Sequence, residues 1–281
     1  MKAFSEFRRK HELLVCVDSD GCAMDTMDIK HIRCFGPCMI EEWSLQEYER
    51  EILDRWNDIN LYTITRGINR FKGLAMALCE IDEKYCPVEG ARLLKEWTDT
   101  APELSNDALE KMITKKPDAT VFRRALSWSR AVNEAINLLP DDTKPPFPMV
   151  KEALALARGK ADVAIVSSAN LGAVLEEWEM HGLLDSVDVI MSQNDGSKAF
   201  CIKKLLACGY INKKVVMCGD APGDLAAAEE NGVYFFPILV RSEKASWEEF
   251  ISTALPKLID GSYGEGYQEK KIKEFYKNLG E

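Results

Sequence analysis

Leu13-Leu14-Val15-Cys16-Val17-Asp18-Ser19-Asp20-Gly21 is an apolar run that passes without a spacer into two carboxylates two residues apart. A run this short, rich in Val and Leu and flanked by polar residues, reads as a strand buried on both faces. The same pattern recurs in the second half of the chain. A helix near 149–158 is followed by a strand over 162–166, a helix from about 171 to 181 and a strand over 187–191. A helix after Ser197, a strand over 215–218, a helix after Gly223 and a strand near 233–238 complete the series. Strands alternating with helices make a parallel sheet covered on both sides, so the predicted class is α/β, a doubly wound parallel-sheet core. Such sheets bind ligands beyond the carboxyl ends of their strands. The residues directly after each apolar run are therefore the candidates for chemistry.

Between Thr26 and Pro148 the strand-like runs give way to helical spacing. Trp43, Leu45, Tyr48, Ile52, Trp56 and Ile59 recur at two to four residues, and Val121, Ala125, Trp128, Val132, Ile136 and Leu139 at three and four, each set marking a helix face turned to a core. Pro87, Pro102 and Pro117 read as breaks between helices, and the proline-rich stretch 140–148 as the way back into the sheet. The expected organisation is a core of residues 1–25 and 145–281 interrupted by an all-helical domain over 26–144.

The chain has 281 residues, enough for a sizeable buried core, with 36 Lys and Arg against 46 Asp and Glu for a net charge of −10. That balance repels phosphodiester backbones and makes nucleic acid a poor partner. No apolar run approaches the roughly 20 residues that span a bilayer, and the amino-terminal apolar stretch is too short for a secretory signal, so the expected location is the cytoplasm, without a membrane partner. Nine cysteines form no CxxC pair, and Cys34 and Cys38 lack a second Cys/His pair for zinc; a reducing compartment fits. Oligomeric state is not legible.

Asp18 and Asp20 stand at the end of a buried strand, an expensive place for charge. Like charges this close raise each other's proton affinity unless a cation or hydrogen-bond donors intervene, which implies a metal or a division of catalytic labour. A second pair, Asp220 and Asp224 in Gly219-Asp220-Ala221-Pro222-Gly223-Asp224, follows the strand 215–218. Clustered hard oxygen ligands suit Mg²⁺. Asp224 also suits a helix cap. Ser167-Ser168-Ala169-Asn170 follows the strand 162–166 and offers a hydroxyl and backbone amides to an anion at a helix start. Lys198 follows the next strand. Acid pair, hydroxyl, lysine and acid pair thus succeed one another, each beyond a successive apolar run. In the helical stretch, Arg66, Asn69 and Arg70 would share one face if helical, and would bind an anionic substrate tail or form a solvated basic face.

In this order the stretches VCVDSDG, AIVSS, DGSKAF and CGDAPGDLAAA resemble the four motifs of the haloacid dehalogenase (HAD) superfamily. The resemblance implies a Rossmann-like HAD core carrying a helical cap inserted after the first motif. It implies Asp18 as nucleophile, Asp20 as general acid/base with its backbone carbonyl on the metal, and Ser167 and Lys198 as charge stabilisers. It places Asp220 and Asp224 at the magnesium and the amide after Ser167, that of Ser168, on a phosphoryl oxygen. Cys22 stands where many members have threonine and Ala199 where many have proline, which leaves Lys203 and Lys204 as weaker candidates for the lysine. By the same resemblance, the carboxylate at position 20 implies phosphate ester chemistry. The expected activity is an Mg²⁺-dependent phosphatase hydrolysing a small phosphorylated metabolite through an aspartyl phosphate. A phosphomutase of the β-phosphoglucomutase type, or a catalytically silent binder on the same scaffold, are the alternatives.

Overall fold

The computed structural model describes residues 3–281. The chain divides into two compact units, one running to Met27 and resuming at Asp141, the other spanning Asp28–Pro140.

The first unit is built on five parallel strands, β1 (Leu13–Val17), β2 (Ala161–Val166), β3 (Val189–Met191), β4 (Val215–Gly219) and β5 (Tyr234–Pro237), in the order β3-β2-β1-β4-β5. β1 lies at the centre, with Val15 opposite Val163 of β2 and Val216 of β4. Every residue of β1, β2 and β4 is buried, as strands sandwiched between helices require. The expected strand over 187–191 is shorter, because Leu184–Ser186 is a 3₁₀ turn that runs up to Val187. Successive strands run outward from β1 to β3 on one side and from β4 to β5 on the other, so the strand order reverses beside β1. A doubly wound sheet opens its ligand crevice at such a reversal.

Helices Val150–Arg158, Leu171–Met180, Lys198–Leu206 and Pro222–Glu230 connect the strands. Glu243–Glu249, Leu255–Asp260 and Glu265–Asn278 follow β5. Val15, Val17, Val163, Ile165, Val216 and Phe236 pack with Trp178, Trp247 and Phe250 in one apolar cluster. Two of those tryptophans also brace the loop after β1: the Trp178 indole donates to Ser19 Oγ at 2.9 Å and the Trp247 indole to the Cys22 carbonyl at 3.0 Å. Where the chain returns from the insertion, Phe147 N donates to Ala23 O at 2.9 Å and Asp25 N to Pro145 O at 2.8 Å.

The second unit is helical. Its core gathers Phe35, Trp43, Ile52, Trp56, Phe71, Leu78, Trp97, Phe122, Ala125, Trp128 and Val132, so both apolar stripes face inward. The first stripe is not one helix. Gly36–Trp43 ends at Ser44, which adopts a left-handed conformation (φ 54°), and the chain resumes as Glu49–Asn57. Trp56 and Trp128 meet edge to face at 6.1 Å, a geometry aromatic quadrupoles favour. No helix among the described residues is long and apolar enough to cross a membrane.

Candidate active site

The reversal beside β1 sets Asp18 next to the end of β4. The ladder extends one residue past the strand, Asp18 N donating to Cys218 O at 3.0 Å, and Asp220 follows β4 directly. The loop beyond Asp18 closes tightly through Met24 N to Ser19 O at 2.8 Å and Gly21 N to Met24 O at 2.9 Å. Gly21 there has φ 77°, where a Cβ would be strained. Asp224 lies in the first turn of Pro222–Glu230, and its Oδ2 accepts from Ala221 N at 3.1 Å. A Cβ on Gly219 would overlap the Asp224 carboxyl group, so the tight turn from β4 into the following helix needs glycine at that position.

Lys198 opens its helix after a Ser197 cap whose hydroxyl accepts from Phe200 N at 3.2 Å. Its ammonium lies 2.7 Å from Asp18 Oδ2 and 2.5 Å from Asp224 Oδ1. Asp18, Asp220 and Asp224 each offer a carboxylate oxygen, and these oxygens lie within 4.8 Å of one another. All three residues are buried. Burial drives the Asp18 pKa well above its ordinary value, opposed by the Lys198 ammonium and reinforced by Asp224 and Asp220. Burial alone would lower the Lys198 pKa, but the charges of Asp18 and Asp224 outweigh it and hold the ammonium protonated. Three buried carboxylates thus gather beside one ammonium. A compact set of hard oxygens fits a divalent cation.

The other expected residues occupy defined places. Ser167, buried, continues the β2 ladder through its N–H to Met191 O at 3.0 Å, and its hydroxyl accepts from Ala169 N at 3.0 Å. Ser168 is exposed beside it. Asp20 is half-buried and its carboxylate accepts from the Thr26 hydroxyl. The carboxylate cluster is formed without the Asp20 side chain. Lys203 is exposed and Lys204 stacks over Phe4 and Phe200, so Lys198 is the lysine among the carboxylates.

In the helical unit the structure corrects one expectation: Arg66, Asn69 and Arg70 do not share a helix face. Residues 64–67 form a turn, with Gly67 at φ 68°, and the helix begins only at Arg70. Arg66 is buried and donates to Leu61 O at 2.7 Å. Asn69 caps the helix, its Oδ1 accepting from Phe71 N at 3.0 Å. Arg70 reaches across to Ser129 and Asn133. Thr26 and Gly219 were not singled out in the sequence. Gly219 carries a readable signal, a glycine between a buried strand and an acid; Thr26 carries none.

The family model for haloacid dehalogenase-like hydrolases matches residues 100–238, a stretch that holds Ser167, Lys198, Asp220 and Asp224 and leaves Asp18 outside. Over that stretch the chain is similar to haloacid dehalogenase-like hydrolases. Solved structures share its fold. A haloacid dehalogenase-like family hydrolase from Xanthomonas campestris aligns with a TM-score of 0.52 at 15% identity, covering 91% of this chain and 97% of that one. A protein assigned as a phosphoglycolate phosphatase, from Lactobacillus delbrueckii subsp. bulgaricus, aligns with a TM-score of 0.50 at 16% identity, covering 80% and 85%. No curated protein matches the chain. The charged groups that meet here, Asp18, Asp220, Asp224 and Lys198, all belong to the sheet unit.

Proposed function

We propose that the protein is a Mg²⁺-dependent phosphatase acting on a small phosphorylated metabolite through a phosphoryl-aspartate on Asp18. The observation that carries this reading is the meeting of Asp18, Asp220, Asp224 and Lys198 beside the strand-order reversal. A phosphate monoester resists attack because its negative oxygens repel nucleophiles, so catalysis consists mainly of neutralising charge and aligning the reactants. Asp18, Asp220 and Asp224 would hold Mg²⁺, with the Asp20 carbonyl, and the ion would supply charge neutralisation at the phosphoryl oxygens.

Asp18 attacks phosphorus in line while the ester P–O bond breaks, its electron pair leaving with the alkoxide, which takes a proton from Asp20. Water then gives a proton to Asp20 as its oxygen attacks the phosphoryl group, releasing inorganic phosphate and restoring the Asp18 carboxylate. Lys198 stays cationic throughout and balances the charge gathered on the phosphoryl oxygens. Ser167, with the amide of Ser168, holds a further oxygen. The Thr26 hydroxyl orients Asp20.

The test is phosphate release from p-nitrophenyl phosphate and a panel of sugar and nucleotide phosphates, with Mg²⁺ or with EDTA. Release that requires Mg²⁺ and disappears in Asp18→Asn supports the reading. Release indifferent to either change contradicts it.

A further inference from the structure

Ser19 stands between the two acids of the loop after β1, and its N–H, its carbonyl and its hydroxyl oxygen are all engaged. The N–H donates to Asp18 Oδ1 at 2.8 Å. The carbonyl accepts from Ala23 N at 3.0 Å and from Met24 N at 2.8 Å, and the hydroxyl accepts from the Trp178 indole at 2.9 Å. Asp18 is gripped through its other oxygen, Oδ2, by the Lys198 ammonium. The orientation of the Asp18 carboxylate therefore follows the peptide that joins it to Ser19.

Ser19 and Trp178 are both fully buried, and Trp178 belongs to the apolar cluster that also holds Val15, Val163 and Ile165. Two polar groups in such surroundings need each other, since either one unpaired would be costly there. An apolar pair at positions 19 and 178 would fill the same space at little cost, because removing both partners of a hydrogen bond leaves nothing unsatisfied. Such a pair would lack direction. Dispersion contacts leave the rotation of the 18–19 peptide free, whereas a hydrogen bond fixes it. Trp178 is carried by Leu171–Met180, the helix that follows Ser167 and is capped by Asn170, so the bond also ties the loop bearing Asp18 to that helix.

We propose that Trp178 is a positioning residue whose indole N–H, acting through Ser19, fixes the Asp18 carboxylate for the cation and for attack on phosphorus. What the fixed carboxylate does rests on the phosphatase reading; the bracing of the loop does not.

Trp178→Phe keeps most of the ring and deletes the donor, and Ser19→Ala deletes the acceptor and little else. In EDTA, hydrogen exchange of the Ala23 and Met24 amides should quicken about tenfold in either variant, relative to the amides of β2 and β4. Calorimetric titration with Mg²⁺ should give an affinity about tenfold lower in each, and no lower again when the two are combined, as for groups that act through one bond. Trp128→Phe deletes a buried indole donor in the helical unit and should bind Mg²⁺ as the wild type does. With p-nitrophenyl phosphate at saturating Mg²⁺, Trp178→Phe and Ser19→Ala should each lose kcat about tenfold and keep KM. A tryptophan that only fills the core would lower the urea midpoint while relative exchange and Mg²⁺ affinity stayed at wild-type values. That result in Ser19→Ala, the gentler change, overturns the proposal, as do additive losses in the combined variant. Absence of Mg²⁺ binding or of turnover in the wild-type chain strikes the phosphatase reading and leaves the exchange measurement to decide the bracing.

Discussion

Lys198 is the residue on which the site's electrostatics turn, since among the described residues it alone offsets Asp18 and Asp224 at bonding distance. Lys198→Met should therefore cut phosphate release by on the order of 10² to 10³ fold, the scale of losing one fixed charge-stabilising donor, measured at saturating Mg²⁺. Gly219→Ala drives a methyl into the Asp224 carboxyl group and should weaken Mg²⁺ binding by about 10 to 100 fold in calorimetric titration, because a misplaced ligand costs about as much as a lost supporting contact. Wild-type affinity in Gly219→Ala would contradict this placement of Asp224. Asp18, Asp220 and Asp224 were legible in the sequence because acids directly beyond buried strands have few other reasons to be there. Arg66 was misread because its helical face assumed a continuous helix, and Gly67 in a left-handed turn breaks it. The Thr26 to Asp20 bond depends on the folded path of the loop and leaves no trace in spacing.

Elements are held by long-range polar contacts as well as by their apolar faces. Asp188, just before β3, receives Lys10 Nζ at 2.8 Å and Val163 N at 2.9 Å. Burial would raise its pKa, but those two donors outweigh it and the net shift is downward. A carboxyl with a depressed native pKa stabilises the fold above its ordinary value of 3.8, and the contribution is lost as pH falls through the native value. Asp188→Asn should thus destabilise the protein at pH 7 by about 1 kcal/mol, the salt bridge to exposed Lys10 being screened, and the deficit should shrink below pH 3.8 in urea melts. A pH-independent deficit would contradict the assignment. The alternating strands and helices were readable because periods of 2 and 3.6 differ plainly. Helices beyond β5 were not read, and part of what fixes them is remote: buried Lys271 of Glu265–Asn278 pairs with Glu249 of another helix at 2.7 Å.

Across the whole molecule, two units each close around their own core. Trp128→Ala removes a fully buried ring from the helical unit and should cost about 3–5 kcal/mol there. Scanning calorimetry should then show a lowered transition for the helical unit with the other nearly unmoved; equal lowering of both would mean they unfold as one. The α/β class was legible from the strands alone, but the order β3-β2-β1-β4-β5 was not, since spacing does not say on which side of β1 each later strand is added. That order is what brings β4 beside β1 and Asp220 beside Asp18. If Asp18 takes up the phosphoryl group, acid-quenched turnover of a phosphate ester with Mg²⁺, followed by peptide mass analysis, traps it there. One phosphoryl group on the peptide holding Asp18, absent in Asp18→Asn, is the predicted result; turnover with the phosphoryl group on another residue, or undiminished turnover by Asp18→Asn, would contradict it.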